Sequence, residues 1–361
     1  MTDLLWFALG VTALVVGAEA LVRGASKLAL SLGISPLVVG LTVVAFGTSA
    51  PETTVSVSAV LSGQTDIAVG NVVGSNIFNV LLILGLSAVI APLIVDAQVI
   101  RQEVPIMIGA SVLLLAFALD GRIVMFESAF LFILLVTYTG FLVVQSRRQS
   151  AAVNAEYESE IHPADKDAWD ASVWVQILLV IAGLVLLVIG SRWLVSAAVG
   201  FARHLGVSEL VIGLTIVAAG TSLPEVAASV SAALKGERDI AVGNVIGSNL
   251  FNILGCVGAA GLASGAAGLV IAPSIITFDI WVMLAAAVAC LPIFLTGREI
   301  ARWEGGLFLL YFVAYVGYVI LDAQEHDQLA AYSTVMLSFV VPITVVTLLV
   351  AMLQREARVE R

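Results

Sequence analysis

GLTVVAFGTSAPE (Gly40–Glu52) returns later in the chain as GLTIVAAGTSLPE (Gly213–Glu225). Each copy is followed by a second element, DIAVGNVVGSNIFN (Asp66–Asn79) and DIAVGNVIGSNLFN (Asp239–Asn252). Residues 37–85 and 210–258 align without a gap at an offset of 173 and are identical at 32 of 49 positions. Internal repetition of this kind sets the architecture before any local reading does. A duplication that served packing alone would retain its apolar positions. Here the identities include polar and charged residues in the middle of apolar runs. Weaker similarity reaches back, with Gly17 matching Gly190 and Gly33 matching Gly206, and forward, with Gly121-Arg122 echoed by Gly297-Arg298.

The surroundings of the repeat are those of a membrane protein. Of 361 residues, 60% are apolar and 12% charged, with a mean hydropathy of +1.09. Soluble chains carry roughly 45–50% apolar and about 25% charged residues, so a soluble enzyme is excluded. The net charge of −10 and the lack of a basic run exclude nucleic-acid binding. Cys256 and Cys290 both lie in apolar runs and read as buried thiols.

Eleven apolar stretches approach the length of a membrane-crossing helix: Leu4–Val22, Pro36–Ser62, Ile67–Ile90, Val104–Leu119, Val124–Gln145, Val173–Ser191, Glu209–Lys235, Ile240–Ala263, Ile280–Thr296, Glu304–Leu321 and Tyr332–Leu353. The first has an Ala18-Glu19-Ala20 site but no positive charge before it, so it reads as a span rather than a cleaved signal. The sequence is expected to divide into a first repeat (1–145), an acidic solvated linker (146–172), a second repeat (173–322), and an appended eleventh helix with a short tail (323–361). With the N-terminus outside, 13 of the 16 Lys and Arg residues fall on the inner side and 3 on the outer. The bias of positive charge toward the cytoplasm therefore predicts an outside N-terminus, a cytoplasmic linker and a cytoplasmic C-terminus in a multi-pass cell-membrane protein.

Each repeat holds five spans. An odd number forces the second repeat into the bilayer upside down. Inverted repeats of this kind are the construction of secondary transporters, with the site expected near the midplane. The expected fold is an all-α integral membrane protein of two inverted five-helix repeats plus one appended C-terminal helix.

Within the second span, Thr48, Ser49 and Glu52 share one helix face; Thr221, Ser222 and Glu225 do so in the seventh. Glu52 and Glu225 are the acids expected near mid-depth, the others falling near span ends. A carboxylate in hydrocarbon is costly unless paired or facing a polar cavity. No Lys, Arg or His is in helical reach, so two such carboxylates brought together need a cation. Pro51 and Pro224 lack the N–H that would bond the carbonyl four residues back, which frees oxygens around Gly47 and Gly220. Asn71, Ser75 and Asn79, four apart, form a polar stripe whose twin is Asn244, Ser248 and Asn252. For Asn71 and Asn244, interhelical hydrogen bonding and ion contact are equal alternatives; Asn79 and Asn252 are weighted toward the ion. Gly70, Gly74, Gly243 and Gly247 are expected to allow close helix packing. Two carboxylates, two or more amides, six hydroxyls and freed carbonyls are hard oxygen donors, which suit Ca²⁺ or Na⁺ rather than zinc, copper or iron.

Gly-Thr-Ser-x-Pro-Glu followed by Gly-Ser-Asn-x-Phe-Asn, present twice, resembles the two α-repeats of the sodium/calcium exchanger family, in its bacterial type. The resemblance covers residues 1–322. It implies a ten-helix exchanger core in which helices 2, 3, 7 and 8 enclose the ions while helices 1 and 6 slide against them. It further implies ion contacts from Thr48, Ser49, Glu52, Ser75 and Asn79, and from Thr221, Ser222, Glu225, Ser248 and Asn252, with the backbone oxygens of Ala45 and Ala218 as additional ligands. Some relatives carry an acid where this chain has Asn252, so only two central carboxylates are present here. The transported ions would be Ca²⁺ and Na⁺, in the lipid bilayer, with no organic cofactor, nucleic acid or obligatory protein partner. Ca²⁺/H⁺ exchange, with the two glutamates as proton carriers, is the alternative within the class. An intramembrane serine hydrolase would need a base near Ser49 or Ser222, yet His162, His204 and His326 are all placed in loops. A passive channel fits inverted broken helices poorly.

Overall fold

A computed structural model describes residues 2–160, 169–204 and 218–348. Apolar chain in lipid must satisfy its backbone polar groups internally, which leaves helices as the natural solution. Among the described residues, nine helices are long and apolar enough to cross a membrane, or ten with one bent pair counted as a span. In chain order these ten, together with the shorter apolar helix α7, are α1 Thr2–Leu32, α2 (arms Pro36–Thr48 and Ala50–Leu61, bent by 42°), α3 Thr65–Ile90, α4 Val99–Ala118, α5 Met125–Glu160, α6 Val173–His204, α7 (Ala218–Gly220 and Leu223–Leu234), α8 Arg238–Ala267, α9 Ile275–Leu295, α10 Arg302–Ala323 and α11 Leu329–Leu348. The start of the expected seventh span, and Gly206, lie outside the described residues.

The expected all-α fold needs one small correction. Two antiparallel pairs of two-residue strands join loops of the two halves: β1 (Leu93–Ile94) with β4 (Glu299–Ile300), and β2 (Arg122–Ile123) with β3 (Leu269–Val270). Each pair takes one strand from each half and gives loop backbone between helices its hydrogen bonds.

Burial ranks the helices. In its most apolar stretch α3 is 72% buried, whereas α10 is 6% and α11 0%. The most buried spans are α3 and α8, at 72% and 56%, and the buried polar residues of α2 and α7 bond to them. α11 lies on the periphery, held to α10 by Tyr311 Oη donating to Thr344 Oγ1 at 2.7 Å and Tyr332 Oη donating to the Ala314 carbonyl at 2.7 Å. Phe126, Trp174 and Leu337 are among the large apolar side chains left facing outward. In water such a surface is a liability; in lipid it is the ordinary exterior.

α1 and α6 run longer than their apolar cores predict, at 31 and 32 residues. At 1.5 Å per residue each spans about 46–48 Å, well beyond a hydrocarbon core of about 30 Å. Hydropathy ended the first of them at charges that turn out to be partnered. Glu19 pairs with Lys235 at 2.6 Å, Arg23 donates to Asp170 at 2.6 Å, and Lys27 pairs with the same carboxylate. Burial alone would raise the pKa of Asp170; the hydrogen bonds and charges of Lys27 and Arg23 outweigh it and hold the carboxyl below the usual range. That contribution to stability is lost as pH falls through the lowered pKa.

The two long helices pack through glycines in a reciprocal pattern. A Cβ on Gly10 would lie 2.9 Å from the Gly190 carbonyl, and one on Gly17 2.9 Å from the Gly183 carbonyl. Small residues at this spacing let backbones approach, the main source of helix association in lipid. Gly183→Leu is expected to force α1 from α6 and lower the unfolding temperature in detergent, because its Cβ would meet Leu21 N at 2.6 Å. Gly109→Leu, with nothing within 4 Å, serves as the control; equal melting of the two variants refutes the packing assignment.

The linker expected as a loop from Ser146 is helical as far as Glu160, within the 36-residue α5. Alanine, glutamate, glutamine and arginine dominate that stretch, all favorable helix formers, and its first proline is Pro163. Residues 161–168 of the linker lie outside the described set, as does His162. His204 ends α6 rather than sitting in a loop.

Candidate cation-binding site

The two copies of the motif break their helices in the same way. α2 is interrupted at Ser49 (φ −82°, ψ 6°) and α7 ahead of Leu223, with Ser222 at φ −90°, ψ 6°. Pro51 and Pro224 then stand in the first turn of a new helix, where a missing N–H costs nothing. Glu52 and Glu225 occupy the same first turns. The exposed N–H groups and dipole of a helix start favor a carboxylate there.

The two motifs meet by exchange. Ser49 Oγ donates to Glu225 Oε1 at 3.1 Å, and Ser222 Oγ donates to Glu52 Oε1 at 2.9 Å. Ser222 Oγ also lies 3.4 Å from Ser75 Oγ. Both glutamates are buried, and no ion pair involves either one among the described residues. Each carboxylate thus spends one oxygen on a serine from the opposite half. Among the described residues, Glu52 Oε2 and Glu225 Oε2 have no hydrogen-bond partner.

The same holds for Asn79 Oδ1, Ser248 Oγ and Thr221 Oγ1, the last lying on the Glu52 side without closing a bond. Eight buried side-chain polar atoms lack a partner among the described residues, and five belong to the predicted ligand side chains. An unsatisfied buried polar atom costs about 1–3 kcal/mol. These five atoms, two of them the carboxylates' own oxygens, are lone pairs suited to a cation. Among the described residues no three His, Cys, Asp or Glu side chains cluster, so the donors are two carboxylates and neutral oxygens.

The remaining predicted residues fall around this center. Thr48 Oγ1 donates to Asn244 Oδ1 at 3.1 Å, at the same distance from the Val44 carbonyl. The Ala45 carbonyl accepts the Ser49 N–H at 3.0 Å, and Ala218 opens the short helical piece Ala218–Gly220. Asn79 begins a π-helical stretch, Asn79–Leu84, and Asn252 lies in its counterpart, Phe251–Cys256. Such bulges rotate side chains out of the α register and recur at functional positions.

Asn71 and Asn244 both make interhelical hydrogen bonds. Asn71 Nδ2 donates to the Glu52 carbonyl and Ser56 Oγ at 3.2 and 3.1 Å. Asn244 Nδ2 donates to the Glu225 carbonyl and Ser229 Oγ at 3.4 and 2.8 Å. Gly243 and Gly247 pack on the backbone of α2, a Cβ on Gly247 falling 2.6 Å from the Leu41 carbonyl.

Three points lay beyond the sequence. The Gly220 carbonyl, expected to be free, accepts Ser191 Oγ of α6 at 2.5 Å; a freed carbonyl in an apolar setting takes the nearest donor. Glu103 and Glu304, placed near span ends, are fully buried. Glu103 accepts from Tyr138 Oη at 2.5 Å and from Gln98 and Gln102 at 2.8 Å, and Glu304 accepts from Thr296 Oγ1 at 2.7 Å and Ala301 N at 2.8 Å. Their oxygens are satisfied, which sets them apart from Glu52 and Glu225. Asn76 and Asn249, inside the quoted motif but not singled out, hydrogen-bond Asn252 and Asn79. Their distance of three residues from those asparagines was the available signal.

The profile of the family described as "Sodium/calcium exchanger protein" matches residues 2–144 and 175–321. The chain belongs to the sodium/calcium exchanger family. It is 33% identical over 275 residues to the sodium/calcium exchanger MaX1 of Methanosarcina acetivorans, covering 68% of this chain and 78% of that protein. It is 40% identical over 186 residues to the inner membrane protein YrbG of Escherichia coli, covering 50% and 55%. Its fold is similar to that of the sodium-calcium exchanger NCX_Mj, with a TM-score of 0.74, 30% identity, and coverage of 88% of this chain and 99% of that one. As a family member the chain is a multi-pass membrane antiporter of Ca²⁺ and a counter-cation, with the fold of a secondary transporter.

Proposed function

We propose that this exchanger moves Ca²⁺ against Na⁺ by alternating access, through a site made by Thr48, Ser49, Glu52, Ser75 and Asn79 with Thr221, Ser222, Glu225, Ser248 and Asn252, and by the Ala45 and Ala218 carbonyls. The observation that carries the reading is the crossed pair of carboxylates, each with one oxygen held by a serine of the other half and one left without a partner. Ca²⁺ takes six to eight oxygens in flexible geometry, and two carboxylates neutralize it. Exchange is read as electrogenic, three Na⁺ per Ca²⁺. Na⁺-loaded proteoliposomes diluted into Na⁺-free medium should take up ⁴⁵Ca. Uptake should cease when an impermeant cation replaces the internal Na⁺. Uptake that ignores Na⁺ and follows an imposed proton gradient would instead assign Ca²⁺/H⁺ exchange.

The architecture proposed is two inverted five-helix repeats, with α11 appended. Reciprocity of contacts supports it: Gly10 with Gly190 and Gly17 with Gly183, β1 with β4 and β2 with β3, Ser49 with Glu225 and Ser222 with Glu52. Each pair exchanges the roles of the two halves. The proposed orientation places the N-terminus outside, and the linker and C-terminus in the cytoplasm. A cysteine introduced at Ser159 should resist an impermeant maleimide in intact cells, whereas one at Asp120 should react. Both native thiols are buried. The reverse labeling pattern overturns the orientation.

A further inference from the structure

Resting on that reading of the site, we propose that Asn76 and Asn249 are positioning residues. They fix the amides of Asn252 and Asn79 so that a carbonyl oxygen, not an NH₂ group, is presented to the cation. An asparagine can bind a cation only through its oxygen, and a flip of the amide replaces that oxygen with two N–H donors. A site with only two carboxylates depends on such neutral oxygens.

Four asparagines cross between α3 and α8. Asn79 Nδ2 donates to Asn249 Oδ1 at 3.0 Å, and Asn252 Nδ2 donates to Asn76 Oδ1 at 3.1 Å. Hydrogen bonds between two amides do not by themselves set a direction, because both partners could flip together. The direction comes from sulfur. Asn249 Nδ2 faces Met107 Sδ at 3.4 Å, and Asn76 Nδ2 faces Met283 Sδ at 3.6 Å and the Asn249 carbonyl at 3.3 Å. A thioether carries no hydrogen and can only accept. An amide oxygen turned toward it would lose its hydrogen bond.

Polarity therefore passes inward in sequence. Met107 accepts from the Asn249 NH₂, the Asn249 oxygen accepts from the Asn79 NH₂, and Asn79 Oδ1 is left buried and without a partner. Met283, Asn76 and Asn252 repeat the arrangement, and among the described residues Asn252 Oδ1 has only the Cys256 thiol at 3.5 Å. All four asparagines and both methionines are buried away from bulk water.

The test is a double-mutant cycle on Ca²⁺ uptake in proteoliposomes. Asn249→Leu is expected to raise the KM for Ca²⁺ by about tenfold, the loss of one oriented charge–dipole contact, with a smaller change in kcat. In an Asn79→Asp background, either carboxylate oxygen can face the ion, so Asn249→Leu should change KM less than about twofold. Equal effects in both backgrounds indicate a merely structural role and overturn the proposal. Met107→Leu removes only the sulfur acceptor at similar volume. It should raise KM at an unchanged melting temperature. An unchanged KM there overturns the proposal even where Asn249→Leu fails to fold. Asn79→Ala with a normal Ca²⁺ KM would instead refute Asn79 as a ligand, and the positioning role with it.

Discussion

Glu52→Gln and Glu225→Gln will each abolish Ca²⁺ transport. Either change leaves a single carboxylate for a divalent ion. The loss is greater than one charge, because the pair is cross-linked. Glutamine at 52 would bring an NH₂ group to the place where Glu52 Oε1 accepts from Ser222 or where Oε2 stands unpartnered. Ser222 also touches Ser75, so the disturbance reaches α3. Removing a hydrogen bond to a charged group costs about 1.5–3 kcal/mol, and the lost Coulomb attraction in a dry site adds to it. Near-normal ⁴⁵Ca uptake by either variant would show that the ion does not sit between these carboxylates. Glu103→Gln is the contrasting substitution. Its oxygens already have three protein donors, so its effect should be on stability rather than on ion dependence.

A clamped membrane potential should shift the final Ca²⁺ gradient. With both carboxylates ionized, the site carries two negative charges; one Ca²⁺ brings it to zero and three Na⁺ to plus one. A cycle of that stoichiometry moves one net charge. Each charge couples to the potential by about 2.3 kcal/mol per 100 mV, which is roughly 50-fold in a concentration ratio at 1.36 kcal/mol per tenfold. The Asn79, Thr221 and Ser248 oxygens, unpartnered among the described residues, are the ligands proposed for sodium beyond the carboxylate pair. Proteoliposomes with fixed ion gradients and valinomycin-set potentials measure the shift directly. Accumulation independent of potential means two Na⁺ or two H⁺ per Ca²⁺, and the third sodium is withdrawn.

Much of this was legible because the motif occurs twice. Identical polar residues at mid-span have no packing reason to persist, and the structure brings both sets to one place. The breaks at Ser49 and Ser222 followed from Pro51 and Pro224. What escaped was information carried between helices. Hydropathy ended the first span at Val22, since nothing in the sequence ties Arg23 and Lys27 to Asp170, 147 and 143 residues away. Glu103 read as a span-end acid because its donors, Gln98 and Tyr138, lie on either side of a helix start misplaced by five residues. For Asn76 and Asn249 the sequence offers only a three-residue spacing from Asn79 and Asn252, and what each one touches is set by the packing of α3 on α8.

The capping of Gly220 by Ser191 bears on the balance of the cycle. In the first half the matching position is Ala18, which has no hydroxyl to offer Gly47. The Glu19–Lys235 pair likewise has no twin, since its equivalents are Arg192 and Ser62. In the inverted architecture proposed above, the opposite-facing states exchange the conformations of the two halves. Wherever the halves are identical, swapping their conformations is energetically neutral. Only positions where the duplication has diverged can weight one facing over the other. On that architecture the resting orientation is written in such mismatches, and Ala18/Ser191 and Ser62/Lys235 are two of them.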